Sequence, residues 1–254
     1  MSNKYDETDK KKVLDIHVYF TAYEQDIIDK WNQEYDGLNI HRVAWYESDI
    51  ISKKALEDLG SDILKDSANP VCYYQVAIPS ESVLGGNHAV AFMIDHEQKI
   101  MRYHDSHGVD MRREIKDFLR KLFPDYRIYI NFSKQQADVI SKTDGKENDN
   151  SCALLSLYNL RDMWFEQNGM PNKICNYDSV SARQDVWKIL STVQKPENRP
   201  VKFSFGKVVI GATETKEKKE QYTDAVKKLQ YRLYNEPNYD ELINQAVKNV
   251  RASF

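Results

Sequence analysis

The sequence predicts an α+β protein in which helices flank a central mixed sheet. Two observations carry this prediction. Between Val71 and Phe165 the side-chain pattern changes from strand to hairpin, helix, strand and helix, with helical patterns before and after this stretch. The composition, 41% hydrophobic and 30% charged residues over 254 positions, is typical of a globular chain that is large enough to bury a core.

The region before the central stretch is expected to add variable elements to the core. Residues 1–12 are polar and charged, and we expect them to be flexible because they offer little surface to bury. Residues 13–20, VLDIHVYF, alternate apolar and polar side chains, as a half-buried strand or an extended arm does. Residues 22–35 and 47–65 show the spacing of amphipathic helices.

The central stretch predicts four strands and two helices. The first strand is rich in β-branched and aromatic residues and closes with Pro79. The next two strands flank the turn HEQK and form a predicted antiparallel hairpin. The last helix starts at Ser151, a predicted N-cap, and is apolar on most faces. The predicted strands are 71–79, 88–95, 100–106 and 126–132, and the predicted helices are 111–123 and 151–165.

The remainder of the chain predicts a helix over 178–193, a strand over 201–210 and a helix-rich tail. The tail opens with the charged run 213–221, which we interpret as a solvated helix face. We therefore divide the chain into four parts, taken in order along the sequence. These are a flexible N-terminus (1–12), a variable region that packs on the core (13–70), the core itself (71–200) and a C-terminal strand and helix-rich extension (201–254).

Charge and hydropathy argue against several classes of function. The 36 Lys and Arg residues are balanced by 39 Asp and Glu residues, a net charge of −3, whereas nucleic-acid-binding domains normally carry a basic excess. No apolar run reaches the roughly 18 residues of a membrane helix, so we predict no membrane span. The first residues, MSNKYDETDKKK, lack the apolar core of a secretory signal. We expect a cytoplasmic protein, or one that is secreted by a non-Sec route.

The three cysteines are too few and too widely spaced for a disulfide framework or a CxxC metal site. Cys152 stands in the first turn of a predicted helix, where backbone amides carry partial positive charge and stabilise a thiolate. Taken alone, such a cysteine is more commonly a small buried residue at the start of a core helix. Cys72 is expected in the core, and Cys175 has no evident base.

A histidine and an aspartate give Cys152 a chemical context. His88 opens a strand directly after a Gly-Gly-Asn turn, and Asp105 lies near the end of the paired strand. A tight turn over 96–99 brings these two positions together, and an aspartate beside an imidazole fixes its tautomer and supports its charged form. Taken alone, Asp105 is more simply a carboxylate that caps a turn, and His88 a half-exposed residue at the end of a strand. Together with Cys152 they predict Cys–His–Asp acyl transfer.

The remaining histidines do not predict a metal site. His104 and His107 flank Asp105 and are expected to point differently from it along the alternating strand. Neither an HxxxH helix nor a cysteine partner supports zinc binding. We therefore predict neither a metal nor another cofactor.

The order of these motifs resembles that of the clan CE cysteine proteases. The segments that carry it are YYQVAIPSESVLGGNHAVAFMID, KIMRYHDS and NDNSCALLSLYNL, which lie within residues 71–165. The clan contains ubiquitin-like-protein proteases, adenovirus-type proteases, bacterial effector deubiquitinases and YopJ-type effector acetyltransferases. The resemblance implies a papain-like core of the ubiquitin-like-protein-protease type. It also implies His88 as general base, Asp105 as its orienting carboxylate and Cys152 as nucleophile.

The resemblance also implies an oxyanion hole. The backbone N–H of the cysteine is one natural donor, and the clan usually supplies a second from a glutamine a few residues earlier. The sequence KENDNS before Cys152 contains no glutamine. The candidates are Gln136, if TDGKEN loops out, and the side-chain amides of Asn148 and Asn150. We prefer Gln136.

Two departures from the clan pattern bear on substrate choice and on packing near the nucleophile, in that order. A tryptophan commonly follows the histidine and narrows the channel, but this chain has Ala89. A glycine commonly follows the cysteine, but here Ala153 stands in that position. Aromatic residues of the N-terminal region, Trp31 among them, are expected either to contact an apolar patch of a modifier or to pack in the core. The substrate-binding candidates are Trp45, Tyr46, Asn87 and Ala89.

The resemblance implies a cysteine isopeptidase that removes ubiquitin or a ubiquitin-like modifier from proteins. Its partners are then the modifier and its conjugates, and its setting is a host cell into which a bacterial effector is delivered. The alternative on the same fold is a YopJ-type acetyltransferase that carries an acetyl group on the same cysteine. A second alternative, prompted by the departures from the clan pattern, is a catalytically silent module that binds a modifier.

Overall fold

The computed structural model describes residues 4–20, 22–44, 51–79, 87–136, 149–195 and 233–254. The strands of this part of the chain are β1 (Ile40–Ala44), β2 (Val71–Pro79), β3 (Asn87–Asp95), β4 (Ile100–His104) and β5 (Arg127–Asn131). They form one sheet in the order β1-β2-β3-β4-β5. The central pairs β2–β3 and β3–β4 are antiparallel, whereas β1 and β5 run parallel to their neighbours.

Helices cover both faces of this sheet. They are α1 (Glu7–Leu14), α2 (Glu24–Glu34), α3 (Lys53–Lys65), α4 (Arg113–Leu122), α5 (Cys152–Gln167), α6 (Ser179–Leu190) and α7 (Tyr239–Ala252). Short 3₁₀ turns lie at Asp66–Ala68, Pro171–Lys173 and Leu233–Asn235. The predicted fold class, a mixed sheet flanked by helices with helical additions at both ends, is confirmed.

Alternation along the central strands divides the interior into two cores. On β2, Tyr74 and Val76 join the core that α3, α4 and α7 cover, whereas Tyr73 faces the core of α2, α5 and α6. Phe92 and Met93 on β3 divide between the two cores in the same way. Strands that are buried on both faces explain why β2 and β3 read as long apolar runs in the sequence. Helix α5, which begins with a cysteine, therefore lies against the middle of the sheet.

The helices of the first core meet at Gly60 of α3. A Cβ added there would stand 2.9 Å from Phe118 and 3.0 Å from Leu122 of α4, and 3.1 Å from Val250 of α7. The glycine thus allows three helices to approach one another closely. Helix α7 belongs to this core through Ile243 and Val250, both of which are buried.

The predicted elements of the central stretch are confirmed, with ends that differ by at most two residues. The N-terminal prediction is wrong: residues 13–20 are not a strand, and the segment expected to be flexible contains α1. Asp6 explains the difference, because its side chain accepts the N–H groups of Thr8 at 2.7 Å and Asp9 at 3.0 Å in a capping box. Val13, which ends the helix on its buried side, is fully covered.

Strand β1 was not predicted, because its five residues show no alternating pattern and lie at the edge of the sheet. Trp31 packs in the core at 1% exposure and is no surface anchor. The strand predicted over 201–210 and the charged run over 213–221 lie outside the described residues. Within the described part of the chain, no helix has the length and apolar character that a bilayer span requires.

Candidate active site

The hairpin of β3 and β4 brings His88 and Asp105 together. His88 pairs with Ile78 near the start of β3, and Asp105 follows the last residue of β4. Their side chains are in direct contact: His88 Nε2 lies 2.8 Å from Asp105 Oδ1. Both side chains are buried, His88 at 8% exposure and Asp105 at 2%. Because a carboxylate only accepts hydrogen bonds, Nε2 carries the proton and Nδ1 is the ring nitrogen left for another partner.

The His88 ring also interacts with Cys152. The thiol occupies the first residue of α5, is partly buried, and forms a hydrogen bond with the His88 ring. The arrangement joins a carboxylate, an imidazole and a thiol in series. The helix N-terminus adds partial positive charge at the sulfur. The three residues that the sequence pointed to as a catalytic set are therefore in contact in the folded chain.

The electrostatics of the site favour a charged His88. Burial by itself lowers the pKa of His88, but hydrogen bonds to Asp105 and Cys152 outweigh burial and raise it well above the usual value for histidine. Burial raises the pKa of Asp105, yet its bond to His88 outweighs burial and leaves the carboxyl ionised. When Cys152 gives its proton to His88, an imidazolium lies between the Asp105 carboxylate and the Cys152 thiolate. The thiolate formed in this way is the nucleophilic form of the cysteine.

A second histidine lies against the first. The rings of His107 and His88 stack with centroids 4.8 Å apart and planes inclined by 29°. The backbone N–H of His107 also donates to Asp105 Oδ1 at 2.8 Å. Burial and the charge on His88 both lower the pKa of His107. His107 was expected to point away from Asp105, but its main chain bonds that carboxylate because the strand ends at His104.

The turn that follows Asp105 requires a glycine. Gly108 has a φ of +69°, and a Cβ there would lie 2.6 Å from the carbonyl oxygen of Phe132. Its N–H donates to the Asp105 carbonyl at 2.8 Å, which closes the turn. This geometry folds the chain back so that Asp105 faces His88 rather than continuing along the sheet.

Gln136 connects the aspartate turn with the segment before the cysteine. Its side-chain oxygen accepts the Ser106 hydroxyl at 2.8 Å, and its backbone N–H donates to the Ser106 carbonyl at 2.9 Å. Its side-chain nitrogen donates to the carbonyl of Asp149, which lies three positions before Cys152. Gln136 is buried at 4% exposure. It thus lies beside the nucleophile segment although it is distant in sequence.

The other oxyanion candidates are placed differently. The side-chain nitrogen of Asn150 donates to the carbonyl of His17 at 2.6 Å, away from the thiol's partner His88. Asn148 lies outside the described residues, as do the substrate candidates Trp45 and Tyr46. Asn87 begins β3 opposite Pro79, and Ala89 is buried at 5% exposure.

Ser151 occupies the N-cap position of α5 as predicted, but its hydroxyl does not cap the helix. It instead accepts a hydrogen bond from Arg183 Nε at 2.8 Å. Arg183 and Tyr19, whose hydroxyl responds to the charge of Cys152, were missed in the sequence. A single arginine in an amphipathic helix gives no local signal, because only the tertiary structure places α6 beside α5.

A metal site was not predicted. His104 Nε2 donates to the carbonyl of Ser133 at 3.0 Å. Across the residues that the structure describes, no group of three or more His, Cys, Asp or Glu side chains is arranged to hold a metal ion.

Comparison with known proteins identifies no family for this chain. The chain matches no protein-family model and no curated protein sequence. Among solved structures it is similar to one described as AvrA delL154 with IP6 and CoA. The sequence identity is 12%, the match covers 92% of this chain and 90% of that chain, and the TM-score is 0.34.

Proposed function

We propose that this protein is a cysteine-dependent acyl-transfer enzyme with Cys152 as nucleophile, His88 as general base and Asp105 as orienting carboxylate. One observation carries the proposal: a single buried imidazole is hydrogen-bonded to the Asp105 carboxylate through Nε2 and also interacts with the Cys152 thiol. Structural ion pairs between histidine and aspartate are common, but a thiol at a helix N-terminus as the third member is the arrangement that nucleophilic catalysis uses.

The proposed reaction proceeds through a thioester on Cys152. His88 Nδ1 takes the proton of Cys152, and the sulfur forms a bond to the carbonyl carbon of an acyl donor. The resulting oxyanion collapses, the bond to the leaving group breaks, and the imidazolium returns the proton to that group. The thioester is then attacked by water or by an amine, whose proton passes to His88 and back to the released thiol.

Two donors adjacent to the sulfur are proposed for the oxyanion. One is the backbone N–H of Cys152 at the start of α5, and the other is the side-chain amide of Gln136. The support for Gln136 is its anchoring on both sides, by Ser106 and by the Asp149 carbonyl. A donor that is held before the reaction begins stabilises developing charge without further reorganisation.

For the acyl donor we propose the isopeptide-linked C-terminus of ubiquitin or a ubiquitin-like modifier, with water as acceptor. The Asp105-Ser106 pair supports this branch, since the clan's proteases carry Asp-Ser at the end of the corresponding strand. The same thioester mechanism serves acetyl transfer from acetyl-CoA, so this is the second candidate. The delivery of the protein into a host cell, which the resemblance implies, stays a prediction.

One experiment separates these possibilities. The purified protein is incubated in parallel with propargyl-terminated ubiquitin and ubiquitin-like probes, and with acetyl-CoA, and is then analysed by intact mass and peptide mapping. Capture of a probe at Cys152 supports the isopeptidase, and acetylation that depends on Cys152 supports the transferase. Cys152→Ala is the matched control for both.

A third outcome would overturn the enzymatic proposal. If iodoacetamide modifies Cys152 no faster than the exposed Cys175, the thiol is not activated. Equal binding of a modifier by the wild type and Cys152→Ala, without cleavage or acetylation, would then identify a silent binding module.

A further inference from the structure

A buried arginine packs against the turn that precedes Cys152. Arg183 of α6 is fully buried, at 0% exposure. Its Nε donates to Ser151 Oγ at 2.8 Å, and Nη1 donates to the Val13 carbonyl at 2.8 Å. Its Nη2 donates to the Val18 carbonyl at 2.7 Å and to the Asn150 carbonyl at 3.4 Å. The guanidinium thus contacts both residues that precede Cys152 as well as the N-terminal segment.

These acceptors are all neutral. Among the described residues, Arg183 takes part in no ion pair, although buried cations are normally paired with a carboxylate. The negative groups that act on it from farther away are Asp149, Asp15 and the Cys152 thiolate. Burial lowers the pKa of Arg183 to about 10, so it remains a cation at neutral pH. A buried positive charge therefore lies at the turn that immediately precedes Cys152.

The same contacts fasten the residues before Cys152. The backbone N–H of Asn150 donates to the Ile16 carbonyl at 2.7 Å, next to the bond from its side chain to His17. On the other side, the Asp149 carboxylate accepts the Ser151 N–H at 3.0 Å and the Ser179 hydroxyl of α6. The turn over 149–151 is thus held from α6 on one side and from the N-terminal segment on the other.

We propose that Arg183 is a positioning residue for Cys152: it fixes the Asn150–Ser151 turn and supplies a fixed positive charge that stabilises the thiolate. The inference rests on the proposed role of Cys152 as nucleophile. It assigns to α6 and to residues 13–18 a part in the active site that the Cys–His–Asp set does not include. The charge acts in the ground state, before any substrate binds.

Several charged groups act on Cys152 or on the Arg183 guanidinium. His88 faces Cys152 from β3, Tyr19 from the segment between α1 and α2, and Arg183 from α6. Asp149 and Asp15 act on the guanidinium and oppose its effect on the sulfur. Because His88 is unchanged in an Arg183 variant, the shift on substitution reports the contribution of the guanidinium.

The test measures the rate of iodoacetamide alkylation at Cys152 as a function of pH, by peptide mass spectrometry. Exposed Cys175 is the internal reference, and buried Cys72 reports unfolding because it reacts only when the core opens. The variants are Arg183→Met, which removes the charge, Arg183→Lys, which keeps it, and Gln184→Met as a control at an exposed position of α6.

We expect Arg183→Met to shift the alkylation profile of Cys152 upward by about one pH unit. The rate at neutral pH then falls roughly tenfold, while the plateau at high pH is retained. Arg183→Lys is expected to stay within about threefold of the wild type, even if both variants lose similar thermal stability. If Arg183→Met folds and its alkylation profile is not shifted, the inference is wrong. The proposed function still stands in that case, provided that the wild type is alkylated faster at Cys152 than at Cys175.

Should Arg183→Met fail to fold, Ser151→Ala and Arg183→Lys decide. Ser151→Ala removes one neutral acceptor and keeps the guanidinium. If Cys152 is alkylated at the wild-type rate in both variants, the positive charge of residue 183 is what stabilises the thiolate. A tenfold loss in Arg183→Lys, with Cys72 still protected, overturns the charge contribution. Failure of the proposed function looks different, because Cys152 and Cys175 would then react alike in the wild-type protein.

Discussion

Replacement of Asp105 by asparagine tests how the carboxylate acts on His88. Asp105 Oδ1 accepts two hydrogen bonds, one from His88 Nε2 and one from the backbone N–H of His107, both at 2.8 Å. An asparagine has one acceptor and one donor end, and the His107 N–H requires the acceptor at that position. The variant should therefore keep its oxygen toward His88, so the tautomer with Nε2–H is preserved and only the negative charge is lost.

The magnitude follows from this geometry. Hydrogen bonds to charged groups contribute about 1.5–3 kcal/mol, and those between neutral groups about 0.5–1.5 kcal/mol. The difference is about 1–1.5 kcal/mol, which corresponds to a five- to tenfold loss of rate. An amide that turned its nitrogen toward the ring would force the wrong tautomer and cost on the order of 10⁴-fold. Asp105→Ala, which leaves the ring without an orienting partner, should lie between these two values.

Alkylation provides an assay that does not depend on knowing the substrate. The ratio of Cys152 to Cys175 modification by iodoacetamide at neutral pH should fall five- to tenfold in Asp105→Asn and further in Asp105→Ala. Turnover of any probe that the wild type cleaves should follow the same order. A 10⁴-fold loss in Asp105→Asn, or no loss in Asp105→Ala, would refute the reasoning that the His107 N–H orients the side chain.

Three further predictions follow from the site and its surroundings. Cys152→Ala should abolish turnover with little change in melting temperature, and His88→Ala should reduce turnover by about 10²–10⁴-fold; both are measured on a cleavable conjugate of the modifier whose probe captures the wild type. Gln136→Ala should lower kcat by about 10²–10³-fold with a smaller change in KM. Asn150→Ala is the control, because the Asn150 amide donates to the His17 carbonyl, and it should not lower kcat selectively. Equal changes of kcat in the two variants would exclude Gln136 as the oxyanion donor. Burial raises the pKa of Glu24 from 4.5 to about 7, against the influence of Arg42 and Gln75, so the folded state binds more protons than the unfolded state. The free energy of unfolding should therefore fall by on the order of 3 kcal/mol as the pH rises from about 4.5 to 7. Urea titrations should show this fall in the wild type and not in Glu24→Gln.

The central stretch could be predicted because its signals are local. Alternation and β-branched residues mark β2, and the tight turn after Asp95 specifies the hairpin that carries His88 toward Asp105. Helix α5 was predicted because an apolar run of this length is typical of a buried helix. The chemistry was inferred from these same local positions, since each candidate stands at the end of a strand or helix.

The remainder depends on contacts between distant segments. Arg183 lies 31 positions after Cys152 and is placed beside it only by the packing of α6 on α5. The alternation of residues 13–20 favours an extended segment, whereas the capping box at Asp6 starts a helix. That helix reaches Leu14, and its Val13 packs in the core that α2, α5 and α6 cover. The stacking of His107 on His88 depends on where β4 ends, which the sequence pattern placed two residues later than His104.

The crowded junction at Gly60 has a practical consequence for handling the protein. Because Val250 fills the space above that glycine, a shortened chain that lacks α7 would leave an apolar hollow on the face opposite α5. Exposed apolar surface of this kind promotes self-association. An affinity tag is better attached beyond Phe254, which is 63% exposed, than used to replace the last helix.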